Sequence, residues 1–225
     1  MFFRKLFGRG STEEKRPDAT AELRWIEVGE EPFPAIRVID LRPITTTMTS
    51  TTQNPEVAAY YSSRDRSGER FRGQSPPNSV TVSCSLRYPV KGSALPEGPV
   101  ALSRSMEEKW DIFHFDGRLI FVRSWIGAVS YVATVAVSEG QLTVSRIEAD
   151  GQGTYDSEDF VQRSVDYLIK SHVFGQMVPN PIPPDIPPDN PQAIALSCFS
   201  WYGRRAWFGS YDDTTTIKPG DSTKQ

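Results

Sequence analysis

The sequence predicts an α+β fold, a twisted antiparallel β-sheet with one principal helix from the C-terminal half packed on it. Three observations predict it. Residues 107–148 (EEKWDIFHFDGRLIFVRSWIGAVSYVATVAVSEGQLTVSRIE) hold four successive runs rich in β-branched and aromatic residues, and these read as an antiparallel meander. Asp116 and Gly117 supply its first two-residue turn, since a type I′ turn needs φ > 0 at both positions; Glu139 and Gly140 supply the last. Finally, Val161, Val165, Leu168, Ile169 and His172 recur at i, i+4, i+7, i+8 and i+11, one stripe of a helix over 158–174.

A loop at Asp116 and Gly117 sets the register of the first hairpin. Phe115 then faces Arg118, Phe113 faces Ile120 and Asp111 faces Val122 on one side. His114 with Leu119, Ile112 with Phe121 and Trp110 with Arg123 pair on the other. Both sides are apolar, so this hairpin is expected to be covered on both faces. In the second half, Val129, Tyr131, Ala133, Val135 and Val137 are expected to share a face with Leu142 and Val144, leaving the opposite side wet.

Residues 1–20 read as a flexible tail whose first ten residues alternate Phe2, Phe3, Leu6 and Phe7 with Arg4, Lys5 and Arg9. Strands follow at 23–28 and 35–41, and the threonine-rich stretch 45–52 reads as a polar edge strand or loop. Asn54 and Pro55 resemble a helix cap followed by proline at the first helical position, so a short helix is expected over 56–61. A strand at 80–88 leads through turn-rich residues 92–99 into the meander. Asp156 or Ser157 caps the main helix, and Gly175 stops it. Residues 179–191 hold seven prolines in thirteen residues and are expected to run extended, as a strap on which Ile182 and Ile186 touch a surface. A last hairpin is predicted from 193–202 and 205–211 around Gly203 and Arg204. Residues 21–212 are thus read as a single α+β domain, and 213–225 as a flexible tail.

Composition narrows the function classes. The chain has 225 residues and a net charge of −3, so no global field draws it to nucleic acid. No apolar run approaches the ~20 residues of a membrane span. The two cysteines, Cys84 and Cys198, lie in apolar runs where a free buried thiol is expected, which points to a reducing, cytoplasmic setting. There is no phosphate-binding loop, dinucleotide fingerprint, nucleophile elbow or zinc-ligand spacing, and neither cofactor nor metal nor catalytic residue is assigned. His114 and His172, the only histidines, read as structural.

The remaining candidates are residues of the types that dominate binding hot spots: Trp110, Arg123 and Trp125 in the meander, with Trp201, Arg204, Arg205 and Trp207 near the last hairpin. They suggest a non-enzymatic soluble protein-binding module with a protein partner; an immunity-type or accessory protein of a bacterial or phage system would have this character. Two alternatives stand beside it. One is a hydrolase or transferase with a carboxylate-based site drawing on Asp111, His114 or Asp212. The other is a nucleic-acid binder that uses the arginine-rich loop 64–72, with Phe71 for stacking, together with Arg204 and Arg205. The loop carries its own acids, Asp65 and Glu69, and local pairing is the expected state of its arginines.

Overall fold

The computed structural model describes residues 23–152 and 157–217. The tail 1–20, the candidate cap Asp156 and residues 218–225 lie outside the described residues. In chain order the elements are strands β1 (Trp25–Ile26) and β2 (Val38–Asp40), helices α1 (Arg42–Thr45) and α2 (Pro55–Ser63), and strands β3 (Ser79–Pro89) and β4 (Gly98–Ala101). Strands β5 (Trp110–Phe115), β6 (Arg118–Arg123), β7 (Ala128–Ser138) and β8 (Gln141–Asp150) follow. Helix α3 (Glu158–Leu168), strand β9 (Asn180–Pro181), helix α4 (Pro191–Tyr202) and strand β10 (Phe208–Ser210) complete the chain. The described residues form two compact units, one of Thr51–Met106 and Trp110–Val165, the other of residues 23–50, Glu107–Lys109 and residues 166–217.

The first unit is an antiparallel six-stranded sheet in the order β3-β8-β7-β6-β5-β4. All six predicted pairs of the first hairpin occur, from Phe115 with Arg118 to Trp110 with Arg123. Asp116 and Gly117 have φ of 51° and 68°, and Glu139 and Gly140 have 52° and 73°, so both turns take the left-handed backbone that the register needs. Every residue of β5 is buried.

One face assignment is overturned. Phe121 pairs with Tyr131 but Val122 pairs with Val129, so Ser130 is an extra residue on β7. Such a bulge rotates everything before it by one side-chain position. Val129 therefore leaves the face of Tyr131 and joins Phe113, Ile120, Val122 and Val132 in a core that also takes Phe71. Val129, Ser130, Tyr131 and Val132 are all buried, so the wet side expected of β7 begins only at Thr134.

Phe71 plugs that core from the 3-10 turn Glu69–Phe71, stacked on Phe113 with ring centroids 5.5 Å apart. Gly68, at φ 77°, lets the loop pass against the same ring, because a Cβ there would lie 2.1 Å from Phe113 Cδ1. In α3, Ser157 serves as the cap: its Oγ accepts from Phe160 N (3.1 Å). Val161 and Val165 are fully buried.

The second unit holds a four-stranded mixed sheet, β1-β2-β10-β9, with β9 parallel to β10. Ile26, Phe33, Val38 and Phe208 make one of its cores. The proline strap is docked: Ile182 and Ile186 are buried, Ile182 N donates to Ser210 O (3.0 Å), and Tyr211 OH donates to Ile186 O (2.6 Å). Proline has no N–H, which confines the parallel pairing to two residues. The packed chain runs on to Ile217, itself buried.

Two further expectations are corrected by the structure. Residues 193–202 form no strand: they are α4, with Asn190 Oδ1 accepting from Ala193 N and Pro191 in its first turn. Ile194, Ala195, Cys198, Phe199 and Tyr202 fall at helical spacing and are buried, so the run has one apolar stripe at period 3.6 and not at period 2. The main helix also changes character after Leu168. Ile169–Val173 is a π-helical turn closed by Phe174 N to Ile169 O (3.1 Å), and Ser171 Oγ–H donates to Tyr167 O, an i−4 side-chain bond that competes with the backbone ladder. Of the two readings of the threonine-rich stretch, edge strand or loop, residues 46–52 follow the loop reading after the short α1 at Arg42–Thr45, and Met48 and Ser50 pack it in part.

Replacing Gly68 by Ala forces both a strained backbone and a clash with Phe113. The expected cost is about 3 kcal/mol, read as a lower urea midpoint at unchanged slope.

Candidate interaction surface

Helix α2 has no fully buried residue; Val57, Tyr60 and Tyr61 are half-buried. Its start is set locally: Asn54 Oδ1 accepts from Glu56 N (2.9 Å) and Pro55 occupies the first turn. Its end is set by Arg64. The guanidinium donates through Nε to Asp111 Oδ2 (3.2 Å) and through Nη2 to Ser103 Oγ (2.9 Å) and Ser103 O (3.1 Å), and it lies 3.9 Å over the Tyr61 ring. Asp111 in turn accepts from Ser103 N (2.7 Å) and Oγ (2.9 Å). The Arg64 and Asp111 side chains are only 7% and 6% exposed, so each charge is desolvated and depends on the other.

With α2 fixed, Tyr60 reaches the turn between β6 and β7. Ile126 N and Gly127 N both donate to Arg123 O (3.2 and 2.9 Å), and Gly127 adopts φ 64°. A Cβ at Gly127 would lie 2.3 Å from the Tyr60 hydroxyl, so only glycine lets the ring settle there. Burial raises the Tyr60 phenol above its ordinary pKa, which keeps it protonated. On the other side of the turn, Trp125 Nε1 donates to Met106 O (2.6 Å). Arg70 closes the arrangement, 5.4 Å over the Tyr60 ring and 4.8 Å over Phe71, while Arg66 Nη1 reaches Ser103 O (3.4 Å). Ile126 projects from this frame, 49% exposed, between Trp125 and Gly127.

The aromatic and arginine residues singled out in the sequence divide between the units. In the first, Trp110 is 1% exposed, stacked on Tyr131 (5.7 Å), with the Arg123 guanidinium 4.8 Å over it; it is a core residue, and Arg123 covers it. Trp125 is part-exposed. In the second unit, Arg204 N donates to Glu107 O (3.1 Å), Arg205 Nη1 to Ser171 O (2.6 Å), Trp201 is part-exposed, and Trp207 is 38% exposed. Sequence reasoning missed Tyr60 and Ile126. The Tyr60–Tyr61–Arg64 spacing behind the Asn54 cap was the available signal for the first; Ile126 carried none.

The residues offered for other chemistries are engaged elsewhere. Asp111 is held by Arg64 and Ser103, and His114 lies on the opposite face of β5, its Nδ1 3.1 Å from Pro96 O. Phe71, offered for stacking on a base, is buried. Arg72 meets Glu69, Glu97 and Asp116 at 3.1, 2.9 and 3.0 Å. Cys84 and Cys198 are free, and burial pushes the Cys198 thiol up to about 12, the state of an inert thiol. Among the described residues no group of three or more His, Cys, Asp or Glu could hold a metal ion, and no helix is long and apolar enough to cross a membrane.

The second unit keeps its own buried polar cluster. Tyr167 OH donates to Arg205 O (2.6 Å), and its ring meets Tyr202 edge-on at 4.7 Å. Ser171 Oγ spends its hydrogen on Tyr167 O and so accepts from His172 Nδ1 (2.7 Å), leaving His172 Nε2 as a buried lone pair with no partner. Burial, with the Arg205 charge added, lowers His172 to about 3. The unfolded chain therefore binds one more proton than the folded chain between about 6.5 and 3. The His172 contribution to stability is complete above pH 6.5 and is lost as pH falls towards 3. His172→Gln is expected to flatten the decline of the urea midpoint between pH 7 and 4.5; an unchanged slope would show that His172 does not titrate in this window.

Comparison of the chain with protein-family models, with curated proteins and with solved structures returned no match.

Proposed function

We propose that the protein is a non-enzymatic protein-binding module whose contact surface is the frame of Tyr60, Arg70, Trp125 and Ile126. The observation that carries this reading is the exposed Ile126 at the tip of a turn whose backbone and neighbours are fixed. An exposed aliphatic residue on a turn beside part-exposed Trp125, with Tyr60 against the adjacent Gly127 and exposed Arg70 over that ring, has the composition of a binding hot spot. Its rigidity means that little ordering entropy is lost on association. The Asp111 carboxylate is held by Arg64 and Ser103, His114 lies against Pro96 O, and burial raises both thiols, which supports binding over catalysis at these residues. The two free thiols suit a reducing compartment, and a cytoplasmic location belongs to the same proposal, as does an immunity-type or accessory role.

A photoreactive side chain at position 126 is expected to give one discrete adduct in cells that make the protein. Ile126→Ser, at unchanged thermal midpoint, is expected to weaken the purified adduct partner's binding by about tenfold or more. The same adduct from a control position at Ser83, exposed on β3, would contradict the assignment.

A further inference from the structure

We infer that the segment recognised at this surface is acidic and apolar, an aliphatic or aromatic anchor flanked by carboxylates; the inference rests on the binding-module reading. It comes from the unequal treatment of four neighbouring arginines. Arg64 is neutralised by Asp111 and Arg72 by three carboxylates. Arg66 and Arg70 are exposed and form no direct ion pair among the described residues: Arg66 reaches a carbonyl, and the Arg70 guanidinium lies over the rings of Tyr60 and Phe71, its charge felt by the exposed Asp65 carboxylate.

These two cations, neither in a direct ion pair, contact segments that lead to the exposed Ile126. Arg70 covers Tyr60, whose hydroxyl abuts Gly127 beside Ile126. Arg66 reaches Ser103, three residues before Met106, which accepts from Trp125 on the other flank of Ile126. Two forked cations at the edge of an apolar tip complement carboxylates placed on both sides of a hydrophobic side chain. Nucleic acid fits less well. Two free cations would release few counterions, and an exposed isoleucine gains nothing from a polyanion.

The test is selection of peptides from a random display library on the full chain, with fluorescein-labelled consensus peptides and oligo-dT as defined probes. The expected consensus places Asp or Glu on both sides of Leu, Ile, Phe or Trp. Arg66→Glu combined with Arg70→Glu is expected to lower its affinity by about tenfold or more and to weaken its salt dependence. Ile126→Ser is expected to abolish it. All three positions are exposed, so an unchanged thermal midpoint checks folding. A neutral or basic consensus that is lost in Ile126→Ser would overturn the acidic assignment while leaving the binding surface standing. Peptides indifferent to Ile126→Ser would overturn both. Oligo-dT binding that disappears with Arg66→Ala and Arg70→Ala but survives Ile126→Ser would replace the inference with nucleic-acid recognition.

Discussion

The buried Arg64–Asp111 pair is the interaction on which the candidate surface depends. Helix α2 has no buried residue, and at nine residues it would be marginal alone. What ties its C-terminal end to the sheet is a guanidinium that meets Asp111 on β5 and Ser103 in the segment before it. An ion pair so desolvated gives no assurance of net stability. Its effect is positional: removing either partner leaves a buried charge, so alternatives in which α2 swings away are costly. Tyr60, one turn before Arg64, is thereby pressed against Gly127, and the turn bearing Ile126 acquires a wall.

The arginines of one loop thus serve separate ends. Arg64 anchors, Arg72 gathers three carboxylates, and Arg66 and Arg70 keep their charge for solvent. Phe71, embedded among them, fastens the loop to the sheet core. A count of charge over residues 64–72 sees only a weakly basic stretch; the division of roles appears once each guanidinium is placed. The second unit handles polarity differently, enclosing Tyr167, Ser171, His172 and Arg205 in one hydrogen-bonded set whose members are shut off from solvent or held by backbone carbonyls.

Much of the fold was legible because turns carry register. Two left-handed turn pairs, Asp116-Gly117 and Glu139-Gly140, were enough to align β5 with β6 and β7 with β8 near their turns. The bulge at Ser130 was not legible, since an inserted residue leaves alternation intact on either side and only reverses its phase. Helix α4 was misread although Asn190 and Pro191 repeat the cap signature of Asn54 and Pro55; a short apolar run satisfies both periods until its flanks are weighed. The site was less accessible still. Residue type nominated Trp110, but its strand is buried on both faces, while Ile126 became prominent only through its place on a turn.

The central claim, that Arg64 positions α2 and with it the surface around Ile126, is tested most directly by amide hydrogen exchange on Arg64→Ala beside the wild-type chain. The account predicts that Pro55–Ser63 loses its protection while β6, β7 and β8 remain the slowest-exchanging segments. Wild-type exchange rates across Pro55–Ser63 in the variant would contradict it, because α2 would then be held by something other than the buried pair.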